Sequence, residues 1–337
     1  MIRKATLLFF VATLTTLLPM ASLFAAEEVV ITNMTASIGG GAYTMSSAMS
    51  DLARKYHPWL RISTAETPGY IYNLKAHDKD KGKWKNTIVS TNQAVLYLAA
   101  HGMDPFEKKI EGYKFLGTYN TLTRWLVTLD PDIKGPKDLV GKKIGLGYRT
   151  QIDWAVTPDY LLKYGWKIRD QLDVVYMGSN PAIGALLDGT IDVAQVDAYM
   201  NPFTGEVVGG KPLVELIASG KKVYHIPWGK QCIETTRKES GYKLKAITIP
   251  KGSFNGWLTE DIVTWVYSNG FAARDVFPEK YAYELIKLCI SHVDKFKEYH
   301  KMGALLSPQV LSYGYSKDDL HPGALKAYLE AGVKIPE

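Results

Sequence analysis

The chain reads as an α/β protein of two lobes that face each other across a ligand cleft. Three observations carry that expectation. Short apolar, β-branched runs alternate with helical periodicity along most of the length, the pattern of a largely parallel sheet covered by helices on both faces. The order strand, glycine turn, helix occurs twice, near residue 40 and again near residue 145. At 337 residues the chain exceeds what one hydrophobic core usually organises.

The N-terminus comes first. Met1-Ile2-Arg3-Lys4, an apolar run from Ala5 to Leu18, and the small-residue end Phe24-Ala25-Ala26 describe a secretory signal peptide with cleavage expected after Ala26. The apolar run falls short of the roughly 20 residues that cross a bilayer; an uncleaved anchor is the alternative.

In the first half, Val29–Asn33 reads as a strand and Tyr43–Tyr56 as a helix. Leu60–Ala65 is a strand, and Gly69–Lys75 opens a helix. Thr87–Ser90 is a short strand before the helix Gln93–His101, and Tyr113–Thr118 and Leu122–Thr128 are strands. The second half repeats the grammar. Ile144–Leu146 is a strand, and Gly147-Tyr148-Arg149-Thr150-Gln151 follows at or near a helix start. Thr157-Pro158-Asp159 looks like a second helix start, which makes 148–157 a possible loop. Val174–Met177 is a strand, Asn180-Pro181 caps a helix that stops at Asp188-Gly189, and Ile191–Val196 is a strand ending in Asp197-Ala198-Tyr199. Lys245–Pro250 is a further strand, and the chain from Glu260 onward reads as mostly helical. The expected division is residues 27–120 for the first lobe, 121–228 for the second, and 229–337 returning to the first lobe and bracing the hinge.

Composition narrows the function classes. The net charge is +6, with basic residues scattered among acids. That argues against nucleic-acid or membrane binding. The seven histidines show no metal-ligand spacing, and no cofactor or metal is expected. Cys232 and Cys289 form either one disulfide or two buried thiols; Cys289 lies in an apolar helical pattern.

Candidate ligand contacts fall beyond the carboxyl ends of strands, where open α/β sheets bind ligands. The turn Gly39-Gly40-Gly41-Ala42-Tyr43 puts unpaired backbone N–H groups and the positive end of a helix dipole in one place, a seat for an anion or simply a tight turn. Arg149 is the expected cation, able to hold a carboxylate by two parallel hydrogen bonds; the alternative is a surface Arg paired with Asp153. Thr150 and Gln151 donate to the same anion or cap the next turn. Tyr43, Tyr70, Trp154 and Tyr199 are candidate aromatic walls among 21 Tyr and 8 Trp. Gly69, Asn73, Asn92, Gln93 and Asp197 are polar or backbone contacts; Asn92 is also an N-cap candidate and Asp197 an Asx-turn candidate. Trp125 is read as hinge or core.

Five ordered motifs resemble the TAXI-type solute receptors of tripartite ATP-independent periplasmic (TRAP) transporters. They are Ile38-Gly39-Gly40-Gly41-Ala42-Tyr43, Thr67-Pro68-Gly69-Tyr70-Ile71-Tyr72-Asn73-Leu74, Asp138-Leu139-Val140-Gly141-Lys142-Lys143-Ile144, Leu187-Asp188-Gly189-Thr190-Ile191-Asp192-Val193, and Leu320-His321-Pro322-Gly323-Ala324-Leu325-Lys326 with Glu330-Ala331-Gly332. The resemblance implies a type II-like periplasmic-binding-protein fold, no catalysis, and a monomer in the periplasm. It also implies delivery of a small organic anion to integral membrane subunits driven by an ion gradient. Two positions depart from the family: Gly147-Tyr148-Arg149-Thr150-Gln151 stands for a small Gly-Ser-Gly-Thr-like turn, and Tyr70 stands for a Ser. The aromatic content of the expected cleft favours an aromatic or bulky carboxylate. The rival readings are a receptor that presents its ligand to a sensor kinase and an exported enzyme on the same fold. The second would need a nucleophile with its base, paired carboxylates or a metal set; no Gly-x-Ser-x-Gly elbow is present.

Overall fold

The computed structural model describes residues 27–337; the expected signal peptide lies outside the described residues. The chain starts with β1 (Val29–Met34), α1 (Gly41–Tyr56), β2 (Leu60–Ala65), α2 (Tyr70–Lys79), β3 (Thr87–Asn92) and α3 (Gln93–His101). β1 lies between β2 and β3, parallel to both. Helix α1 buries Ala42, Met45, Ala48, Met49, Leu52 and Ala53, a one-sided stripe at three- and four-residue spacing. Each large side chain in it stabilises by about 1.5–3 kcal/mol through burial. Pro58 disfavours helical backbone at His57, and α1 ends there.

A second set of parallel strands follows. β4 (Tyr113–Thr128) leads to β5 (Lys143–Leu146), a helical stretch from Ile152 to Gly165 that contains α4 (Thr157–Tyr160), then β6 (Asp173–Tyr176), α5 (Ser179–Leu187), β7 (Val193–Met200), β8 (Val207–Gly209) and α6 (Lys211–Ala218). β5 pairs in parallel with β6 and β7. The remaining elements are β9 (Tyr224–Ile226), α7 (Lys230–Ser240), β10 (Lys245–Ile249), β11 (Ile262–Arg274), α8 (Glu279–Ser291), α9 (Pro308–Leu311) and α10 (Pro322–Glu330).

The main sheet runs β2-β1-β3-β11-β4-β7-β5-β6. Two parallel groups are thus joined by two long antiparallel strands, β4 and β11, which is the expected α/β two-lobed architecture. The register of β4 against β11 slips between Asn269 and Gly270 and again between Phe271 and Ala272, and such bulges sharpen local twist. Gly270 is needed there: a side chain on it would overlap the Gly117 carbonyl of β4.

Several sequence expectations need correction. Ile262–Arg274 is a strand, whereas the chain after Glu260 reads as helical; its apolar and aromatic residues sit at the centre of the sheet, almost all buried. The two strands expected around residues 113–128 are one continuous strand. The expected 148–157 loop ends at Gln151, because a helix with π-type turns begins at Ile152. Helix α5 starts at Ser179 with Gly178 as its cap, not at an Asn180-Pro181 cap. Of the two states open to the cysteines, the structure shows the second, as expected of an apolar helical position: Cys232 and Cys289 are both free and buried.

Candidate functional site

Strand alternation builds the floor of the site. Successive side chains on a strand point to opposite faces. On β4, Asn120, Leu122 and Arg124 point to one cavity; on β7, Asp197 and Tyr199 point to the same one, and Asn269 joins them from β11. The register sets these residues opposite one another: Arg124 faces Asp197, Leu122 faces Tyr199, and Asn120 faces Asn269. The cavity measures about 500 Å³, a size suited to a small organic molecule.

Helix starts form the walls. The N-termini of α1 (Gly40, Gly41), α2 (Gly69, Tyr70), α5 (Ser179) and α6 (Lys211) all line the cavity. The N-caps of these four helices are Gly40, Gly69, Gly178 and Gly210, and none has a side-chain cap. Glycine leaves the first backbone N–H groups open to a ligand, and each helix end carries about half a positive charge. Gly69, at φ +132°, needs the freedom of glycine.

Arg124 is the buried cation of the cavity, whereas Lys211 at its edge is exposed. It is 4% exposed, its guanidinium lies 3.9 Å from the centroid of the Trp154 ring, and its Nη1 is 3.6 Å from Asp153 Oδ2. Its Nε and Nη1 have no hydrogen-bond partner among the described residues. Buried donors without partners cost free energy, which an acceptor placed in the cavity would offset.

An amide chain positions Asp153. Asn269 Nδ2 donates to Asn120 Oδ1 at 3.2 Å, and Asn92 Nδ2 donates to both Asn269 Oδ1 and Asp153 Oδ1 at 3.0 Å. Burial pushes the Asp153 carboxyl above its usual range, against the pull of Arg124, Asn269 and Asn92. Asp197 is buried against Gly210, whose Cα it approaches so closely that a side chain there would overlap the carboxylate. Burial raises the Asp197 carboxyl to about 6; Arg124 lowers it and Asp153 adds to the rise. The Tyr70 hydroxyl hydrogen-bonds the Tyr119 hydroxyl, and burial moves both phenols upward.

Of the residues singled out in the sequence, Gly39, Gly40, Gly41, Ala42, Gly69, Tyr70, Thr150, Gln151, Trp154, Asp197 and Tyr199 come together around this cavity. Five lie elsewhere. Arg149 is exposed and stacks on Tyr176 at 4.4 Å, neither in the cavity nor paired with Asp153. Asn92 is fully buried behind Asp153 and accepts from Val95 N, capping α3. Asn73 is fully buried and donates to the carbonyls of Met34, Thr35 and Ser90, bracing the first lobe. Gln93 donates to the Gly314 carbonyl and lines a separate cavity with Val266 and Ser268, on the reverse face of β11. Tyr43 sits on α1 outside the cavity. Asp197 lies within β7, not in an Asx turn.

Sequence reasoning missed Arg124, Asp153 as its partner, Asn120 and Asn269. A signal for the first was available: Arg124 is the one charge in the apolar run Leu122-Thr123-Arg124-Trp125-Leu126-Val127, and buried arginines are seldom incidental.

A solved structure shares the fold, and two further ones are similar at lower scores. MatC from Rhodopseudomonas palustris, with bound malate, is 13% identical over 92% of this chain and 97% of its own, with a TM-score of 0.51. A TctC solute binding protein from Polaromonas, without ligand, is 12% identical over 91% of this chain and 99% of its own, at 0.48. The periplasmic aliphatic sulphonate binding protein SsuA from Escherichia coli is 13% identical over 90% of this chain and 83% of its own, at 0.44. No curated protein matches the chain. The profile of the NMT1-like family matches residues 34–332, nearly all of the described chain, and the protein belongs to the NMT1-like family.

Proposed function

We propose that this protein is an exported receptor that captures a small organic anion in the Arg124 cavity and delivers it to the membrane subunits of a TRAP-type transporter. The observation that carries the reading is the buried guanidinium of Arg124, whose Nε and Nη1 have no hydrogen-bond partner among the described residues, together with four glycine-capped helix N-termini at the same cavity. A carboxylate there takes charge-assisted hydrogen bonds from the guanidinium and from helix N–H groups. TRAP delivery, a periplasmic setting and a monomeric state rest on the TAXI resemblance of the five motifs.

In this reading Arg124 replaces Arg149 as the anion's cation. The backbone of Gly39–Ala42 and Gly69 supplies donors, while Tyr70, Trp154 and Tyr199 give aromatic surface and Thr150 and Gln151 polar contacts. The lobes are divided at β4 and β11, with residues 27–120 in the first and 121–228 in the second, and they close on the solute only as far as it prefers the closed state. The aromatic surface favours an aromatic or bulky acid over a small polar amino acid.

Native mass spectrometry of the purified protein, followed by a thermal-shift screen that includes malate, succinate, glutamate and benzoate, tests the reading. A co-purifying organic acid, or a shift with one of the acids, supports it. Binding of sugars or cations alone contradicts it.

A further inference from the structure

The cavity holds more carboxylates than an anion receptor needs. Arg124 is flanked by Asp153 on one side and faces Asp197 across the β4–β7 register. Asp153 is engaged by Arg124 and Asn92. Asp197 is not: its Oδ1 is buried with no hydrogen-bond partner among the described residues, and its carboxyl packs directly against Gly210, the N-cap of α6, in space that a side chain there would fill. The charged or titratable groups around it are Arg124 on β4, Asp153 on the 152–165 helix, Tyr199 on β7 itself and Lys211 at the start of α6; α5 presents the uncharged Ser179 and Asn180.

We propose that Asp197 sets the charge state the cavity accepts, so that an organic anion is captured together with one proton, which Asp197 carries. The inference rests on the anion-receptor reading above. A solute carboxylate on Arg124 lies beside Asp197, and two like charges in a buried space disfavour each other. Protonation removes that repulsion. It also turns an acceptor without a partner into an O–H donor aimed at the solute. The carboxyl is already poised for this, since burial raises it to about 6 in the free protein, and a neighbouring anion raises it further. By linkage, affinity for the anion falls as pH rises above that value, by about tenfold per pH unit. A solute that instead places an ammonium on Asp197 gives the opposite slope.

Two measurements test this. The first needs no solute: the Asp197 carboxyl is followed by carbon NMR titration of aspartate-labelled protein and assigned with Asp197→Asn. A midpoint above 5 is expected; a midpoint near the ordinary aspartate value overturns the inference. The second is calorimetry with malate, succinate and benzoate in two buffers of different ionisation heat at pH 7. About one proton taken up per bound acid is expected, with Asp197→Asn taking up none and binding at pH 8 at least tenfold more tightly than the native protein. Affinity that is flat or rises between pH 5.5 and 8 overturns the inference. If none of the three acids binds either protein, the anion-receptor reading fails, and the NMR midpoint alone decides whether Asp197 holds a proton. Should the variant not fold, the native protein's titration and proton count still decide the matter.

Discussion

Arg124 and Asp197 sit directly opposite each other on β4 and β7 and both point into the cavity. Period-two alternation places them on one face, and the antiparallel register brings them level. The site therefore rests on sheet geometry, with helix starts added around it.

The first prediction separates the two arginines. Arg124→Lys keeps a charge near Asp153 but loses the planar fork and its stacking on Trp154. Losing charge-assisted hydrogen bonds worth about 1.5–3 kcal/mol weakens organic-acid binding by about 10–100-fold. Arg149→Ala, at an exposed position, leaves the dissociation constant within about twofold. Titration calorimetry on both variants decides; the reverse ranking returns Arg149 to the site.

Asn92 acts from behind the cavity wall. Asn92→Ala removes the α3 cap, costing about 1 kcal/mol, and leaves Asp153 without its amide donor at a further cost of about 1–3 kcal/mol. Denaturant melts are expected to show both losses together, accompanied by weaker acid binding although Asn92 does not line the cavity. Unchanged affinity would show that Asp153 keeps its position without it.

Gly210→Ala places a methyl group against the Asp197 carboxylate. Overpacking of this kind costs about 1–3 kcal/mol, expected as a fall of several degrees in Tm, and binding weakens as Asp197 is displaced. Gly189→Ala is the control: unlike Gly210 it has positive φ, which strains an alanine, but it has open space around it and lies away from the cavity. It should lose some stability and no affinity.

Acid sensitivity has a named source. Burial lowers His225 to about 4 from 6.5, and its Nδ1 accepts the Trp125 indole N–H at 3.1 Å. A depressed folded value means stability that is present above pH 6.5 and lost as pH falls from there through 4. The size is of the order of 3 kcal/mol. Asp197 works in the opposite sense, its stabilising proton being lost as pH rises from 3.8 through about 6. His225→Asn is expected to flatten the acid limb of a pH–stability curve; a curve that superposes on the native one assigns the effect elsewhere.

Much of the fold was legible because local patterns agree with it. The β-branched runs at Val29–Asn33 and Leu60–Ala65 and the one-sided stripe of α1 need no tertiary information. Ile262–Arg274 was misread because its run, buried on both faces, lacks strand alternation and leads into the true helix α8. The glycine turn at 39–41 was legible as a helix start open to an anion, but its three counterparts at Gly69, Gly178 and Gly210 become a set only when the fold brings them together. Asn73 and Asn92 show the limit most plainly. A short amide at a strand end can serve a ligand, a cap or a neighbouring carbonyl, and only the packed structure decides which.

The central claim is that an organic anion sits on Arg124 within the ring of helix starts. A crystal structure of the protein with its co-purifying solute tests it most directly. The account predicts a carboxylate within hydrogen-bond distance of the Arg124 guanidinium and of backbone N–H groups at Gly41 or Tyr70. A solute held at Arg149 or in the cavity behind β11, with no acceptor on Arg124 Nε or Nη1, would contradict it.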